Sequence, residues 1–263
     1  MSASTTCRPL DTALRPPAEN IALTRPLRAA PTPSAVPHTL RFLRFEPSAL
    51  VGYHQAVAEE LRLEYCRSHD IAVQRRITGG GAIYFDPHHL GWELYIDRRA
   101  AGSADMEVIA ERVCTAAARG ICRLGVDARF RPRNDIEVDG RKISGTGGAF
   151  DGASLMYQGT LLLDLDVERM LRVLRVPAEK LNDKAIDDAR QRVTALKTLL
   201  GAVPPLEEVK AAMAGAFAEG FGAELVAQSG LTSPVQHRHD AAPPATPLAD
   251  RRCPHALSVH LHR

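Results

Sequence analysis

Two short stretches of this chain carry residue types that could do chemistry together. The first is Arg75-Arg76-Ile77-Thr78-Gly79-Gly80-Gly81-Ala82, a basic pair followed closely by three consecutive glycines. Three glycines remove every Cβ from a turn, so backbone N–H groups can approach a ligand and point at an anion. A flexible hairpin would use the same glycines; the flanking arginines tip the balance towards an anion loop. The second stretch is Arg133-Asn134-Asp135-Ile136-Glu137-Val138-Asp139-Gly140-Arg141-Lys142-Ile143-Ser144-Gly145-Thr146-Gly147-Gly148. Asp139-Gly140 suits a two-residue hairpin turn, which sets Asp135 on one strand and Lys142 on its neighbour. A carboxylate that can hold Mg²⁺ and an ammonium that can stabilise charge growing on a phosphate or carbonyl oxygen suit chemistry on a nucleotide. For either residue alone, a solvated surface hairpin is the simpler reading.

These loops need strands and helices to hold them. Alternation of apolar and basic residues predicts a strand over 40–45, and Val57, Leu61 and Tyr65 share one face of a helix expected over 55–68. Strands are expected at 71–75, 82–85 and 90–96 around the triple glycine. A helix over 106–124 should turn Val108, Ile109, Val113 and Ile121 inward. Further strands are expected at 136–138, 142–143 and 155–165, with turns at Asp139-Gly140 and Gly147-Gly148, then helices at 167–174 and 206–221. A helix starting at Pro17, with Glu19 in its first turn, should end or kink at Pro26. Strands and helices do not alternate regularly, so the order implies an α+β fold with a mainly antiparallel sheet.

Composition narrows the function class. Lys+Arg number 33 against 31 Asp+Glu, too even for a nucleic-acid binder working by bulk phosphate attraction. No run approaches the roughly 18 apolar residues of a membrane span. The five cysteines, Cys7, Cys66, Cys114, Cys122 and Cys253, include no C-x-x-C pair, which argues against a disulfide framework or zinc site and fits a reducing cytoplasm. Cys66, Cys114 and Cys122 fit helix faces, and buried free cysteine is common. His54, His88 and His89 read as surface or turn residues, and Trp92 as core. Residues 1–16 read as a loose leader and 17–228 as the folded domain. The tail, 229–263, reads as disordered or as the product of a shifted reading frame: residues 231–263 hold five of the ten histidines and five of the eighteen prolines with no apolar period.

Taken together, Arg75-Arg76-Ile77-Thr78-Gly79-Gly80-Gly81-Ala82, Asn134-Asp135-Ile136, Gly140-Arg141-Lys142-Ile143-Ser144-Gly145 and Gly159-Thr160-Leu161-Leu162-Leu163-Asp164-Leu165-Asp166 resemble the lipoate-protein ligase branch of the biotin/lipoate ligase superfamily. Lys180-Leu181-Asn182-Asp183-Lys184 and Arg192-Val193-Thr194 extend the resemblance, which covers about residues 8–225. It implies a fold like the catalytic domains of biotin ligases and class II aminoacyl-tRNA synthetases. It also implies a reaction in which lipoate attacks ATP, with Mg²⁺, to give lipoyl-AMP, and a lysine of an acceptor protein domain then takes the lipoyl group. By resemblance, Arg75, Arg76, Thr78, Gly79, Gly80, Gly81 and Ala82 bind the adenylate, and Lys142 contacts the lipoyl carbonyl and phosphate. Asn134 and Asp135 lie by the nucleotide and its Mg²⁺, Ser144, Gly145 and Thr146 help close the pocket, and the strand entered by Gly159 and Thr160 floors it. The family either continues into a small accessory domain or pairs with one as a separate subunit; the composition of the tail implies that this element is absent here.

The sequence departs from the family where many members have histidine, at Phe85 and Gln158. Octanoyltransferases, of similar fold, carry the acyl group as a cysteine thioester and need a thiol near the lysine, whereas no cysteine lies between Cys122 and Cys253. A lipoate-binding homologue without activity is the non-enzyme alternative, against which the retained Asp135 and Lys142 argue.

Overall fold

The computed structural model describes residues 5–29, 38–175 and 183–226 of the chain. The elements follow in the order β1 Thr6–Arg15, α1 Pro17–Ala29, β2 His38–Phe45, β3 Ser48–Val51, α2 Val57–Glu60, α3 Leu63–Ser68, β4 Ala72–Arg75, β5 Ile83–Phe85 and β6 His89–Asp97. After a short 3₁₀ turn come α4 Met106–Cys122, β7 Arg129–Arg131, β8 Asp135–Val138, β9 Arg141–Asp151, β10 Ser154–Leu162, α5 Val167–Val173, α6 Asp183–Arg192, α7 Leu196–Leu200, α8 Leu206–Phe221 and β11 Glu224–Leu225. An eight-stranded sheet runs β11-β1-β2-β6-β10-β9-β8-β7 and a three-stranded one β4-β3-β5. The large sheet is antiparallel except where β1 lies parallel to β2 and β11, so the fold is α+β on a mixed sheet.

One face of the large sheet carries the main core. Asp105 caps α4 by accepting from the amide of Glu107, and Ile109, Val113, Ala117 and Ile121 then recur at helical spacing and are buried. They pack with Val209, Met213 and Phe217 of α8 and with Trp92, Leu155, Tyr157 and Leu161 of the sheet. A Cβ at Gly120 would come within 2.9 Å of the Met213 Cα, so this glycine lets α4 and α8 cross closely. On the opposite face, Arg41 and Glu93 pair at 2.9 Å, both buried. Arg41 also donates to Asn20 Oδ1 at 2.7 Å and to Thr12 Oγ1 at 3.0 Å, and the Tyr95 hydroxyl donates to Glu93 at 2.6 Å. A buried charge pair is tolerated only when its remaining groups are also bonded, and this network fastens β1 and α1 onto that face.

Several expectations are corrected. The leader is structured from Thr6, because β1 finds its partner in β2, about thirty residues on. Helix α1 continues through Pro26 to Ala29. The helix expected over 55–68 is two short ones, broken where Leu61 bridges to Leu174. Gly147 and Gly148 lie inside β9 rather than in a turn, and the hairpin reverses at Gly152, with φ of 56°. Val108 and Cys122 are exposed, whereas His89 is buried. Trp92, Cys66 and Cys114 are buried as expected. Residues 180–182 and the tail 229–263 lie outside the described residues. No helix among the described residues is long and apolar enough to cross a membrane.

Candidate active site

The lysine reaches its place through a defect in the β8–β9 ladder. Asp139 and Gly140 have φ of 50° and 74°, the left-handed pair of a tight hairpin turn. The strands pair Glu137 with Lys142 but Ile136 with Ser144, leaving Ile143 as an extra residue. In an unbroken strand Lys142 would share a face with Ser144, which is buried towards the core; the bulge turns Lys142 to the opposite face. There its Nζ lies 2.6 Å from Asp135 Oδ1, with Lys142 40% and Asp135 25% exposed. The strand is held behind the lysine by Thr194, whose amide donates to the Lys142 carbonyl at 2.9 Å. Gly145 is the floor under the ammonium: a Cβ there would come within 2.9 Å of both Cε and Nζ of Lys142.

The triple-glycine loop is shaped by its arginines. Arg76 is buried and donates to the carbonyls of Leu50 at 2.9 Å and of Gly79 and Gly81 at 2.7 Å. Burial lowers its pKa, and Glu60 partly restores it. Arg75 donates to the carbonyls of Gly52, Tyr53 and Gln55, tying down the neighbouring loop. The Gly80 carbonyl, in turn, would be 1.8 Å from a Cβ at Gly52. In a trans peptide the N–H points opposite to the C=O. With the carbonyls of 79, 80 and 81 turned inward, the amides of Gly80, Gly81 and Ala82 therefore turn away from Arg76 and Gly52, and those of Gly80 and Gly81 suit an anion. Ala82 donates to Glu60 at 2.8 Å. Arg76 thus shapes the loop by binding its backbone, and Arg75 fastens the 52–55 segment beside it.

Strand β10 joins the two motifs. Gln158 Nε2 donates to Thr78 Oγ1 at 2.9 Å, and two residues on, Thr160 Oγ1 accepts from the Gly145 amide at 3.4 Å. Residues two apart share a strand face about 7 Å apart, so the glycine loop and Lys142 sit over one face of the sheet. The Cβ positions of Gly79 and Gly147 meet nothing within 4 Å, leaving open space above the sheet. Ser144 and Thr146 belong to the other face: Ser144 is buried, and the Thr146 hydroxyl lies 3.2 Å from both Cys114 Sγ and Tyr157 Oη. Asn134 closes the hairpin by donating to the Thr146 carbonyl at 2.8 Å. Gly159 is structural, since a Cβ there would lie 2.3 Å from the Trp92 ring. Of the histidine positions, Gln158 supplies the bond to Thr78, and Phe85 is buried against Phe45 with ring centroids 4.7 Å apart. Gly52, Glu60 and the Thr194 amide were not foreseen, because each acts through backbone contacts that side-chain type does not announce.

No group of three or more His, Cys, Asp or Glu among the described residues could hold a metal. Asp135 alone fits the kind of site in which Mg²⁺ takes one carboxylate and completes its shell with substrate phosphates and water.

The floor gives a prediction. Gly145→Ala displaces a flexible side-chain end rather than backbone, so the melting temperature should hold while turnover falls about tenfold as the ammonium moves off its mark. Steady-state rates beside a thermal melt check this; unchanged turnover would mean that the lysine works from elsewhere.

The family model for the lipoyl protein ligase A/B catalytic domain matches residues 16–218. Lipoate-protein ligase A subunit 1 of Thermoplasma acidophilum is 30% identical over 68% of this chain and 71% of its own length. Octanoyltransferase LipM of Kyrpidia tusciae is 28% identical over 84% of this chain and 89% of its own. The chain covers 50% of lipoate-protein ligase LplJ of Bacillus subtilis, at 32% identity over 65% of its own length. Among solved structures, that of a bi-partite lipoate protein ligase and its E2 lipoyl domain from Thermoplasma acidophilum superposes with a TM-score of 0.81, at 25% identity, covering 90% of this chain and 91% of the other. This chain belongs to the lipoyl protein ligase A/B catalytic-domain family.

Proposed function

We propose that the protein is an ATP-dependent lipoate-protein ligase. The observation that carries this reading is the placement of Lys142, beside Asp135, on the same sheet face as the outward amides of the triple-glycine loop. A lipoate carboxylate oxygen would attack the α-phosphorus of ATP, and the bond to the β-phosphate would break, releasing pyrophosphate. The amine of an acceptor lysine would then attack the carbonyl carbon of the anhydride, forming the amide and releasing AMP. Both steps gather negative charge on phosphate or carbonyl oxygens, which a fixed ammonium and fixed amides stabilise without reorganising. Asp135 would hold the lysine before substrate arrives and contribute one ligand to the Mg²⁺ that neutralises the nucleotide phosphates. Gln158 and Thr78 would keep the loop down on the sheet. The partners of this reading are a lipoyl-acceptor domain and, by analogy with the bi-partite relative, a separate accessory subunit.

The alternative, an octanoyltransferase, is raised by the LipM relatives. A thioester route needs an accessible thiol beside the lysine. Among the described residues, Cys114 is the cysteine linked to this hairpin, through Thr146, but it is buried on the core side of the sheet, and burial pushes its pKa up. Cys7 and Cys66 are also buried, and the Cys122 thiol bonds the Ala128 carbonyl at the far end of α4. Intact-mass spectrometry of the chain after incubation with octanoyl carrier protein is expected to detect no adduct, and incubation with lipoate, ATP and an acceptor domain to lipoylate the acceptor. A hydroxylamine-labile octanoyl adduct would move the protein to the transferase class.

A further inference from the structure

The peptide unit joining Gly81 to Ala82 is pinned at both ends. Its carbonyl accepts from Arg76 Nη2 at 2.7 Å, and its N–H donates to Glu60 Oε2 at 2.8 Å. The two bonds pull in opposite directions along one rigid plane, so together they stop the plane from rotating. Rotation is the freedom a triple glycine otherwise keeps at the greatest entropic cost to folding. Either bond alone would leave the plane free to turn about its one remaining anchor.

Glu60 is itself held from behind. It ends α2, and its carbonyl accepts from the Arg175 amide at 2.7 Å. Leu61 bridges antiparallel to Leu174, and the Arg62 amide donates to the Val173 carbonyl at 3.0 Å. The side chains cross in both directions, Arg62 to the Leu171 carbonyl at 2.7 Å and Arg175 to the Ala58 carbonyl at 2.6 Å. Residues 58–62 are thus clasped to the end of α5, which fixes the backbone from which Glu60 reaches the loop. Glu60 is also a charge partner of Arg76, whose hydrogen bonds to Leu50, Gly79 and Gly81 all run to neutral carbonyls. A buried cation needs such a counter-charge.

We propose that Glu60 is a positioning residue for the ligand-binding loop: its clasped carboxylate fixes the amide of Ala82 and, through that peptide plane, the outward aim of the loop's amides, while balancing Arg76. This inference rests on reading the triple-glycine loop as the element that holds the anionic part of the adenylate. Glu60 touches no substrate in this account. Its loss therefore weakens ground-state and transition-state binding together and raises KM more than it lowers kcat.

The test uses the full chain with Glu60→Ala and Glu60→Gln. Glutamine keeps an acceptor oxygen and loses the charge, so it separates the two contributions. In the ligand-free protein, hydrogen exchange at the Ala82 amide is expected to accelerate about tenfold in Glu60→Ala and to stay near wild type in Glu60→Gln. KM for ATP and lipoate should rise about tenfold in the alanine variant, with kcat changed less, and the glutamine variant should recover most of that loss. Wild-type exchange in Glu60→Ala, or exchange in Glu60→Gln as fast as in Glu60→Ala, would overturn the proposal. Faster loop exchange in a protein whose wild type binds no lipoyl-adenylate analogue would leave Glu60 as the post of the loop and overturn the ligand assignment instead.

Discussion

Replacing Lys142 with alanine is expected to lower lipoyl-adenylate formation by on the order of 10²-fold or more, the usual cost of removing one preorganised donor to a developing oxyanion. The fold should survive. Lys142 is 40% exposed and its pair with Asp135 is open to solvent, so the ion pair adds little to stability. The bulge that carries the lysine is held by backbone, through the Thr194 amide and the ladder to β8, and by the buried Ile143, none of which alanine removes. Chromatographic measurement of lipoyl-adenylate under single-turnover conditions, beside thermal melts of both proteins, separates chemistry from folding. Wild-type adenylate formation in the variant would remove Lys142 from the site. A large drop in melting temperature would show that the lysine is structural.

The second large effect is expected at Gly52, which bears no chemical group at all. A Cβ there would lie 1.8 Å from the Gly80 carbonyl oxygen and 3.0 Å from its carbon, and both atoms are backbone. They cannot swing aside as a side chain can, so Gly52→Ala must push the triple-glycine loop off its seat. Overpacking of this kind costs about 1–3 kcal/mol. If the strain falls on the loop, ligand affinity drops by up to about 10²-fold, since each 1.4 kcal/mol is tenfold. Calorimetric titration with ATP and lipoate together with a melting curve measures how the cost is divided. Unaltered affinity would mean that the loop tolerates a shifted seat and that its contact with Gly52 is not what aims it.

What could be read from the sequence was local. The Asp139-Gly140 turn carries its own signal, and the structure gives both residues the left-handed φ such a turn requires. Helix α8 begins at Leu206 and ends at Phe221, the bounds its apolar spacing suggests. The glycine loop, Lys142 and Gly145 do come together on one face, joined through Thr78, Gln158 and Thr160, whereas Ser144 and Thr146 turn to the other. What escaped depends on contacts distant in sequence. Strand β1 looks like a leader because nothing in residues 6–15 announces a parallel partner at 38–45. Helix 55–68 keeps its apolar spacing but is cut after Leu61, where the Arg62 amide turns to the Val173 carbonyl instead of a helical partner.

The glycines mislead in an instructive way. Gly147-Gly148 resembles a turn by type, yet a Cβ at Gly148 would lie 2.4 Å from Tyr157, so that glycine makes room within a strand. The bulge at Ile143 leaves no trace in the alternation of Lys142, Ile143 and Ser144, and an unbroken ladder would have put the lysine on the wrong face. Ser144 and Thr146 show the same limit, since a strand that looks accessible from sequence turns both side chains to the core side. Gln158, a departure from the family's histidine, is instead the residue that ties the loop to the sheet.

In the proposed ligase reaction, this chain's own residues would activate a carboxylate with ATP. Pyrophosphate release by the full chain, measured with lipoate and ATP present together and with each omitted in turn, tests it most directly. Release is expected only when both are present, falling by on the order of 10²-fold or more in Lys142→Ala. Release that does not depend on lipoate, or that persists at the wild-type rate without Lys142, would contradict it.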